Sequence, residues 1–561
     1  MGTKRKNESN FLVQGSILAI ASIVSRMIGL IYRIPLTAII GDVGNDYYGA
    51  AMEVYSILLL ISSYSLPLAV SKLVSTRLAK GQRKNAYRIF KGALVFAVIS
   101  GTAAGLIIFF GAGAITAMLK TPLSIFALQV LAPTLLVVAV LGVIRGFFQG
   151  MGTMMPSAVS QLIEQVVNAI VSIWAAYMLY GYGTRIGAVL GNSEHYGEAY
   201  GAAGGTTGTG VGALFALGFV LFVFLIYRPV FKRQMKRDIS RRTEGYLEVF
   251  RVLVLTIVPV LLSTTIYNIS SILDQGIFKN VAAYQGYEQI AYSTMWGVFV
   301  GKYKTLINVP IALASALAAS SVPSIATAFA SEDFRQVRHK VNIGIRFIMV
   351  IAIPCAVGMA VLAKPIVDLL YPARTSAGQE ANLLAARLLQ VGAVSIGFYS
   401  LSTLSNAILQ GINRMKKPVI NAAIALVAHI LVLLALMFGL NWNIYAVVIA
   451  NAFFSLLMCV LNGLAIRKYI HYRQEIKKTF VIPLVSSAFM GGAVYGIYYL
   501  VMKLVNKNAV ATVLSIATGV IVYGIFLLLL KGLGEQELKA FPGGRLLIRI
   551  AKKMHLLRYT E

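Results

Sequence analysis

Charge is what this chain of 561 residues has least of: Asp, Glu, Lys and Arg together make up 12% of it. A soluble domain carries about twice that share, so a soluble globular fold is excluded. Acid is scarcer still, with 20 Asp and Glu against 50 Lys and Arg. The two cysteines, Cys355 and Cys459, both lie in apolar stretches. They support neither a disulfide nor a metal cluster and read as small buried hydrophobes. Five scattered histidines form no His-Glu-x-x-His pattern, and His429, inside an apolar run, reads as a packing residue rather than a proton carrier. No nucleophile motif is present, so no enzymatic activity, metal or organic cofactor is expected, and a coupling ion is left open. The stretch Gly201-Ala-Ala-Gly-Gly-Thr-Thr-Gly-Thr-Gly210 has the look of a phosphate loop. It lacks the Gly-Lys-Ser/Thr ending and no strand precedes it, so its glycines read as sites of close helix packing.

What is present is hydrophobicity: 58% of residues, with a mean hydropathy of +0.77. Apolar runs of bilayer length, about 20 residues, recur from 11–40 to 509–530. Fourteen such runs predict an all-α polytopic membrane protein of about 14 transmembrane helices. The first run follows Lys4, Arg5 and Lys6 and is too long for a signal-peptide core. It reads as a retained span with its N-terminus in the cytoplasm. Lys and Arg then fall on the inner side of the predicted topology by roughly four to one, the positive-inside asymmetry. That asymmetry accounts for most of the net charge of +30 without a nucleic-acid partner, and it places both termini in the cytoplasm. Residues 41–46 are expected as an acidic outer loop, 181–208 as the longest outer loop, and Lys531–Glu561 as a basic tail along the inner surface.

Two sets of landmarks repeat. Gln149-Gly150 followed by Pro156 returns as Gln410-Gly411 followed by Pro418, at offsets of 261 and 262. Ser65-Leu66-Pro67 is answered by Ser321-Val322-Pro323, and each leads into a basic connector before Gly92 or Gly344 opens the next apolar run. Landmarks in one order at nearly one offset imply an internal duplication, a pattern common in transporters. The predicted division is an N-terminal six-span lobe over 1–235 and a second over 236–470. Two extra spans and the tail occupy 471–561.

Charged residues within such spans cost about 2.5–3.5 kcal/mol each at the bilayer centre on insertion scales, so each needs a wet cavity, an interface or a partner. Arg26 and Arg33, seven apart on one helical face, are the first candidates for an anion site. Arg33 is also placed where it could snorkel outward, and Lys72 sits near the inner interface. Lys302 and Lys304 are two apart, so one of them faces a cavity squarely and the other does not. The acids on the same footing are Asp46, Glu53, Glu164 and Asp274. Glu164, with Gln161, Gln165 and Asn168 at helical spacing, forms either a polar wall or an interhelical hydrogen-bonded seam.

Ser25-Arg26-Met-Ile-Gly29, the Ser-x-Pro bends, Gln149-Gly150…Pro156 and Ala363-Lys-Pro-Ile-Val-Asp-Leu-Leu-Tyr371 together resemble a known family. It is the polysaccharide flippase branch of the multidrug/oligosaccharidyl-lipid/polysaccharide (MOP) exporter superfamily, the group holding stage V sporulation protein B and MurJ-type proteins. The resemblance implies alternating access, a basic cavity and an undecaprenyl-diphosphate-linked sugar as cargo, with lipid II first. It implies a monomer in the bacterial cytoplasmic membrane. Arg26 matches the family's cavity Arg and Arg33 matches a second Arg loosely. Asp46 matches an outer Asp, and Lys302 or Lys304 stands where the family carries an Arg. A cation-coupled multidrug exporter, with an acid-dominated site, is the alternative. A membrane glycosyl polymerase would need a catalytic outer loop.

Overall fold

The computed structural model describes residues 18, 20–64, 66–236, 238, 243–373 and 375–532. The basic N-terminus and most of the predicted basic tail lie outside the described residues. Among the described residues there is no strand, and nearly everything is helix. Ten helices are long and apolar enough to cross a membrane, or eleven if the pair Ser376–Gly392 and Val394–Gly411, bent by 53°, counts as one span. The chain falls into two compact units, 1–301 and 302–561.

The first unit begins with α1 (Ile20–Ile31) and α2 (Arg33–Leu59), followed by a π turn and α3 (Leu66–Ala79). Then come α4 (Arg83–Met118), α5 (Ile125–Gly150), α6 (Met155–Leu190), α7 (Ser193–Met235), α8 (Tyr246–Tyr284) and α9 (Gln289–Val298). The second unit holds α10 (Lys304–Ala330), α11 (Phe334–Val361), the short α12 (Ala363–Leu370), α13 (Ser376–Gly392) and α14 (Val394–Gly411). It ends with α15 (Lys416–Gly439), α16 (Asn443–Ile470), α17 (Ile482–Val505) and α18 (Asn508–Leu529). The last two, the predicted extra spans, pack on α11: Gly491 faces Val357, and Tyr523 Oη donates to Val350 O at 2.7 Å.

Two predicted loops are helix instead. The outer loop expected over 181–208 shrinks to the turn at Gly191-Asn192, because α6 runs to Leu190 and α7 starts at Ser193. The glycines in this stretch are the cause. Side chains at Gly204, Gly208 and Gly212 would strike the backbone of α6 at Ala175, Asn168 and Glu164, so their absence lets two helices approach closely along many turns. The acidic loop expected over 41–46 is likewise helical. Gly41, at φ +70° and ψ −175°, supplies the one break, and Asp42 to Asp46 continue in helix with Asp46 wholly buried.

The repeated landmarks turn out to be each other's partners. A Cβ on Gly150 would lie 2.9 Å from Ser71 O and 2.8 Å from Val74, and one on Gly146 would lie 2.6 Å from Pro67 O. In the second unit a Cβ on Gly411 would lie 3.1 Å from Ile325 and 3.4 Å from Val322 O. In each unit, therefore, the Gln-Gly helix end packs on the helix that carries the Ser-x-Pro landmark. The turns that follow match as well. After α5, Thr153 N donates to Phe148 O with Gly152 at φ +82°; after α14, Arg414 N donates to Leu409 O with Asn413 at φ +58°. Both are Schellman caps with one left-handed residue, Gly in one copy and Asn in the other.

Acidic residues pin the polar ends of both units. Arg77 Nε donates to Glu244 Oε1 at 3.0 Å, and Arg88 donates to Glu244 O. In the second unit Glu475 pairs with Arg346 and accepts from Asn342 Nδ2 at 3.1 Å. Burial works to raise the Glu475 carboxyl. The hydrogen bonds from Asn342 and Arg346, with the Arg346 charge, outweigh it and hold the group below the usual carboxylate range.

Candidate functional site

The first unit gathers its polar side chains on α6. Gln161, Glu164, Gln165 and Asn168 form a stripe at helical spacing, and α1 lies against it. Ser22 Oγ donates to Gln161 Oε1 at 3.0 Å, and a Cβ on Gly29 would lie 3.3 Å from Gln165 Oε1. Gly29 thus lets α1 approach the stripe. Arg26 falls four residues after Ser22 and three before Gly29, on the side of α1 turned toward these amides. It is exposed, and among the described residues it makes no ion pair. Neither Glu53 nor Asp274 serves as its partner.

Arg33 stacks its guanidinium 4.9 Å from the Tyr48 ring centroid, a cation–π contact. The Tyr48 hydroxyl lies 3.1 Å from that of Tyr32. Glu164 Oε2 accepts from Arg145 Nη2 at 2.8 Å, and Arg145 Nε donates to Ser160 Oγ at 2.8 Å. Glu164 thus ties α6 to α5, the contact of an interhelical seam. Arg145 was missed as a candidate because it sits beside the repeated Gln-Gly landmark, which suggested a turn rather than helix.

A second cluster joins Asp46, Glu53 and α8. Ser271, Gln275 and Lys279 stand four residues apart along one face of α8 and meet Asp46 and Glu53, seven apart on α2. Lys279 Nζ donates to Asp46 Oδ1, with both side chains fully buried. Glu53 Oε1 accepts from Ser271 Oγ at 2.7 Å. The Gln275 amide bridges the two halves, its nitrogen donating to Glu53 Oε2 at 3.0 Å and its oxygen accepting from Lys279 Nζ at 3.2 Å. Asp274 is buried one residue before Gln275. Lys279 was missed because the apolar run ends one residue earlier, and a lysine there reads as a loop residue. The Ser271-x-x-x-Gln275-x-x-x-Lys279 spacing was the available signal.

Beside this cluster lies a cavity of about 320 Å³, lined by residues including Tyr47, His195, Glu288 and Ser293. In the second unit Lys302 is buried in a π turn, its Nζ 5.9 Å from the Tyr371 ring centroid, while Lys304 is only partly buried. His429 is a packing residue, its Nδ1 2.8 Å from Ala450 O.

A membrane chain of helices, with duplicated packing landmarks and charged clusters held between its spans, has the build of a MOP-superfamily transporter. A solved structure of lipid II flippase MurJ in an inward closed conformation matches with a TM-score of 0.62 at 17% identity, covering 91% of this chain and 97% of that one. An inward-facing multidrug resistance MATE family transporter matches with a TM-score of 0.63 at 15% identity, covering 81% and 98%. The chain belongs to the MurJ family: the family model described as lipid II flippase MurJ matches residues 83–515. Lipid II flippase MurJ of Bacillus subtilis (strain 168) is 24% identical over 512 residues, 87% of this chain and 88% of the relative. Stage V sporulation protein B of the same organism is 24% identical over 475 residues, 84% and 86%. The protein is a membrane transporter and not an enzyme.

Proposed function

We propose that this chain flips an undecaprenyl-diphosphate-linked sugar, lipid II first among them, across the cytoplasmic membrane by alternating access. The observation that carries the reading is Arg26, an exposed arginine on the apolar helix α1, set beside the amide stripe of α6 in a chain of the MurJ family. A diphosphate cannot cross hydrocarbon unaided. A guanidinium offers it forked, charge-assisted hydrogen bonds that strengthen where water is scarce, and neighbouring amides suit sugar hydroxyls. Arg33 is assigned to the same headgroup, and Lys302 and Lys304 are carried as candidate anion contacts of the second unit. No nucleic acid is a partner in this reading, the working form is a monomer, and both termini are cytoplasmic. Another lipid-linked glycan is the second reading, because the chain is as similar to stage V sporulation protein B as to MurJ, 24% in each case. The likeness to MATE transporters is one of fold, and the basic residues argue against a cationic drug.

The test is complementation. A Gram-positive host depleted of its lipid II flippase should grow when this protein is expressed, and should fail to grow with Arg26→Ala at equal membrane abundance. Arg26→Lys should restore growth only in part, because a lysine keeps the charge and loses the fork. Growth with Arg26→Ala equal to the parent would remove Arg26 from the site. No growth with the parent protein, well expressed, would point to a different glycan.

A further inference from the structure

The turn at Gly191-Asn192 and the start of α9 meet at one space, the cavity of about 320 Å³ in the first unit. Asn192, which precedes α7, lines it, and so do Glu288, Gln289 and Ile290 at the head of α9. The first N–H groups of a helix have no partner within the helix and need one from elsewhere. Asn192 and Glu288 hold the two N-cap positions, and neither side chain makes a capping hydrogen bond. Two helix ends therefore bring backbone donors to the same cavity.

An independent observation marks its inner wall. Ser293, about one turn into α9, also lines the cavity. It is 1% exposed, and among the described residues its Oγ has no hydrogen-bond partner. The Asp46 carboxylate lies beside it, with Oδ2 likewise unpaired. Native proteins rarely leave a buried hydroxyl in this state without a ligand or an ordered water. A hydroxyl entering from the cavity would complete it.

The rest of the lining narrows the ligand. An anion would meet the two helix ends, but also Glu288 and, behind His195, the Glu198 carboxylate 3.1 Å from His195 Nδ1. A cation would meet those carboxylates, but also the positive ends of two helix dipoles. A hydroxyl both donates and accepts, so it fits a lining that offers both. Tyr47, Leu123 and Ile290 add apolar surface, which suits the C–H face of a sugar ring. The volume is at the low end for small-ligand pockets, about 300–1,000 Å³, and gives room for one ring rather than an extended chain.

We propose that this cavity is a carbohydrate site that seats one pyranose ring. Ser293, the Gln289 amide and the N–H groups at the two helix ends meet the ring's hydroxyl oxygens, and Asn192 and Glu288 accept from its hydroxyl protons. A free sugar and the sugar of a lipid-linked cargo share this chemistry. Only the cargo as source rests on the flippase reading; the binding of a ring does not.

Saturation-transfer difference NMR on the full-length protein in lipid nanodiscs, with N-acetylglucosamine as the probe, tests it without a transport assay. The parent protein should transfer saturation to the ring protons. Ser293→Ala and Gln289→Ala should each weaken binding by about three- to tenfold, the worth of one hydrogen bond. Gln289 is exposed, so its variant remains informative whatever Ser293→Ala does to folding. Ser293→Ala should leave the apparent melting temperature of the sugar-free protein unchanged and reduce the rise that the sugar brings. Undecaprenyl-diphosphate-linked N-acetylglucosamine in the nanodisc should displace the free sugar where the cargo's ring enters the cavity. Free-sugar binding that still depends on Ser293 but is not displaced supports the carbohydrate site and gives it to free sugars. No saturation transfer to the sugar, or transfer equal in the parent and both variants, overturns the proposal. Binding of inorganic phosphate or methylammonium in place of the sugar, weakened by Ser293→Ala, overturns it in favour of an ion.

Discussion

Arg145 and Glu164 show how a charge inside a membrane helix is made tolerable. Each is partly buried, at 13% and 21% side-chain exposure, and they pair with each other while Arg145 Nε donates to Ser160. A pair in this setting is worth little by itself, but removing one partner strands the other. Glu164→Gln keeps an acceptor oxygen for the guanidinium and should lower the apparent melting temperature in detergent far less than Glu164→Ala. Arg145→Ala with Glu164→Ala should recover part of what either single change loses, by about 1 kcal/mol of coupling. Near-parental transport in Glu164→Gln marks a seam. Lost transport at unchanged stability would instead make Glu164 a working acid of the cavity. Sequence alone located Glu164, because a polar stripe at helical spacing stands out in an apolar run. It could not identify the partner, since Arg145 lies on another helix and pairing across helices is a property of packing. The same holds for Asp46, which sequence placed in an outer loop while Lys279, its buried partner, lay 233 residues away.

At the scale of elements, the repeated landmarks make one contact twice, and the two copies are not equally tight. Small residues there let backbones approach, and the clearance differs. At Gly150 a methyl group would meet a backbone oxygen at 2.9 Å; at Gly411 the nearest atoms belong to the Ile325 side chain, at 3.1 and 3.2 Å. A side chain yields more easily than a backbone, so Gly150→Ala should destabilise by about 1–3 kcal/mol, the usual range for overpacking, and Gly411→Ala by less. Paired thermal unfolding curves would check the order, and a larger loss at Gly411 would contradict it. The repeat was legible because glycine and proline are spaced landmarks that survive in a hydrophobic background. That the two landmarks touch was not, because the touching helices are separated by another span. The loop expected over 181–208 failed for a related reason: glycine signals both turns and close packing. Here every fourth residue or so from Gly197 to Gly212 meets α6, and that helical period distinguishes the two.

For the whole molecule, the α6–α7 hairpin offers a direct reading of how the chain sits in the membrane. At about 1.5 Å per residue, the 36 residues of α6 and the 43 of α7 reach roughly 54 and 64 Å. That is well beyond the hydrocarbon thickness of about 30 Å, so one or both ends of the hairpin stand clear of the lipid. The end of α7 that carries Arg228, Lys232 and Arg233 is basic, and the positive-inside rule puts it in the cytoplasm. On that rule the tip at Gly191-Asn192 is expected outside. Val189, 87% exposed at that tip, is a suitable reporter, because nothing packs on it and the turn beyond it needs only Gly191. The native thiols are removable: Cys459 Sγ bonds Phe398 O at 3.1 Å, which a serine hydroxyl can replace, and Cys355 can become alanine. In that background a membrane-impermeant maleimide added to intact cells should label Val189→Cys and not Lys232→Cys. Permeabilised cells should label both. Labelling of Lys232→Cys alone in intact cells would invert the whole topology, and with it the side of the membrane to which the cavity lined by Tyr47, Asn192 and His195 opens.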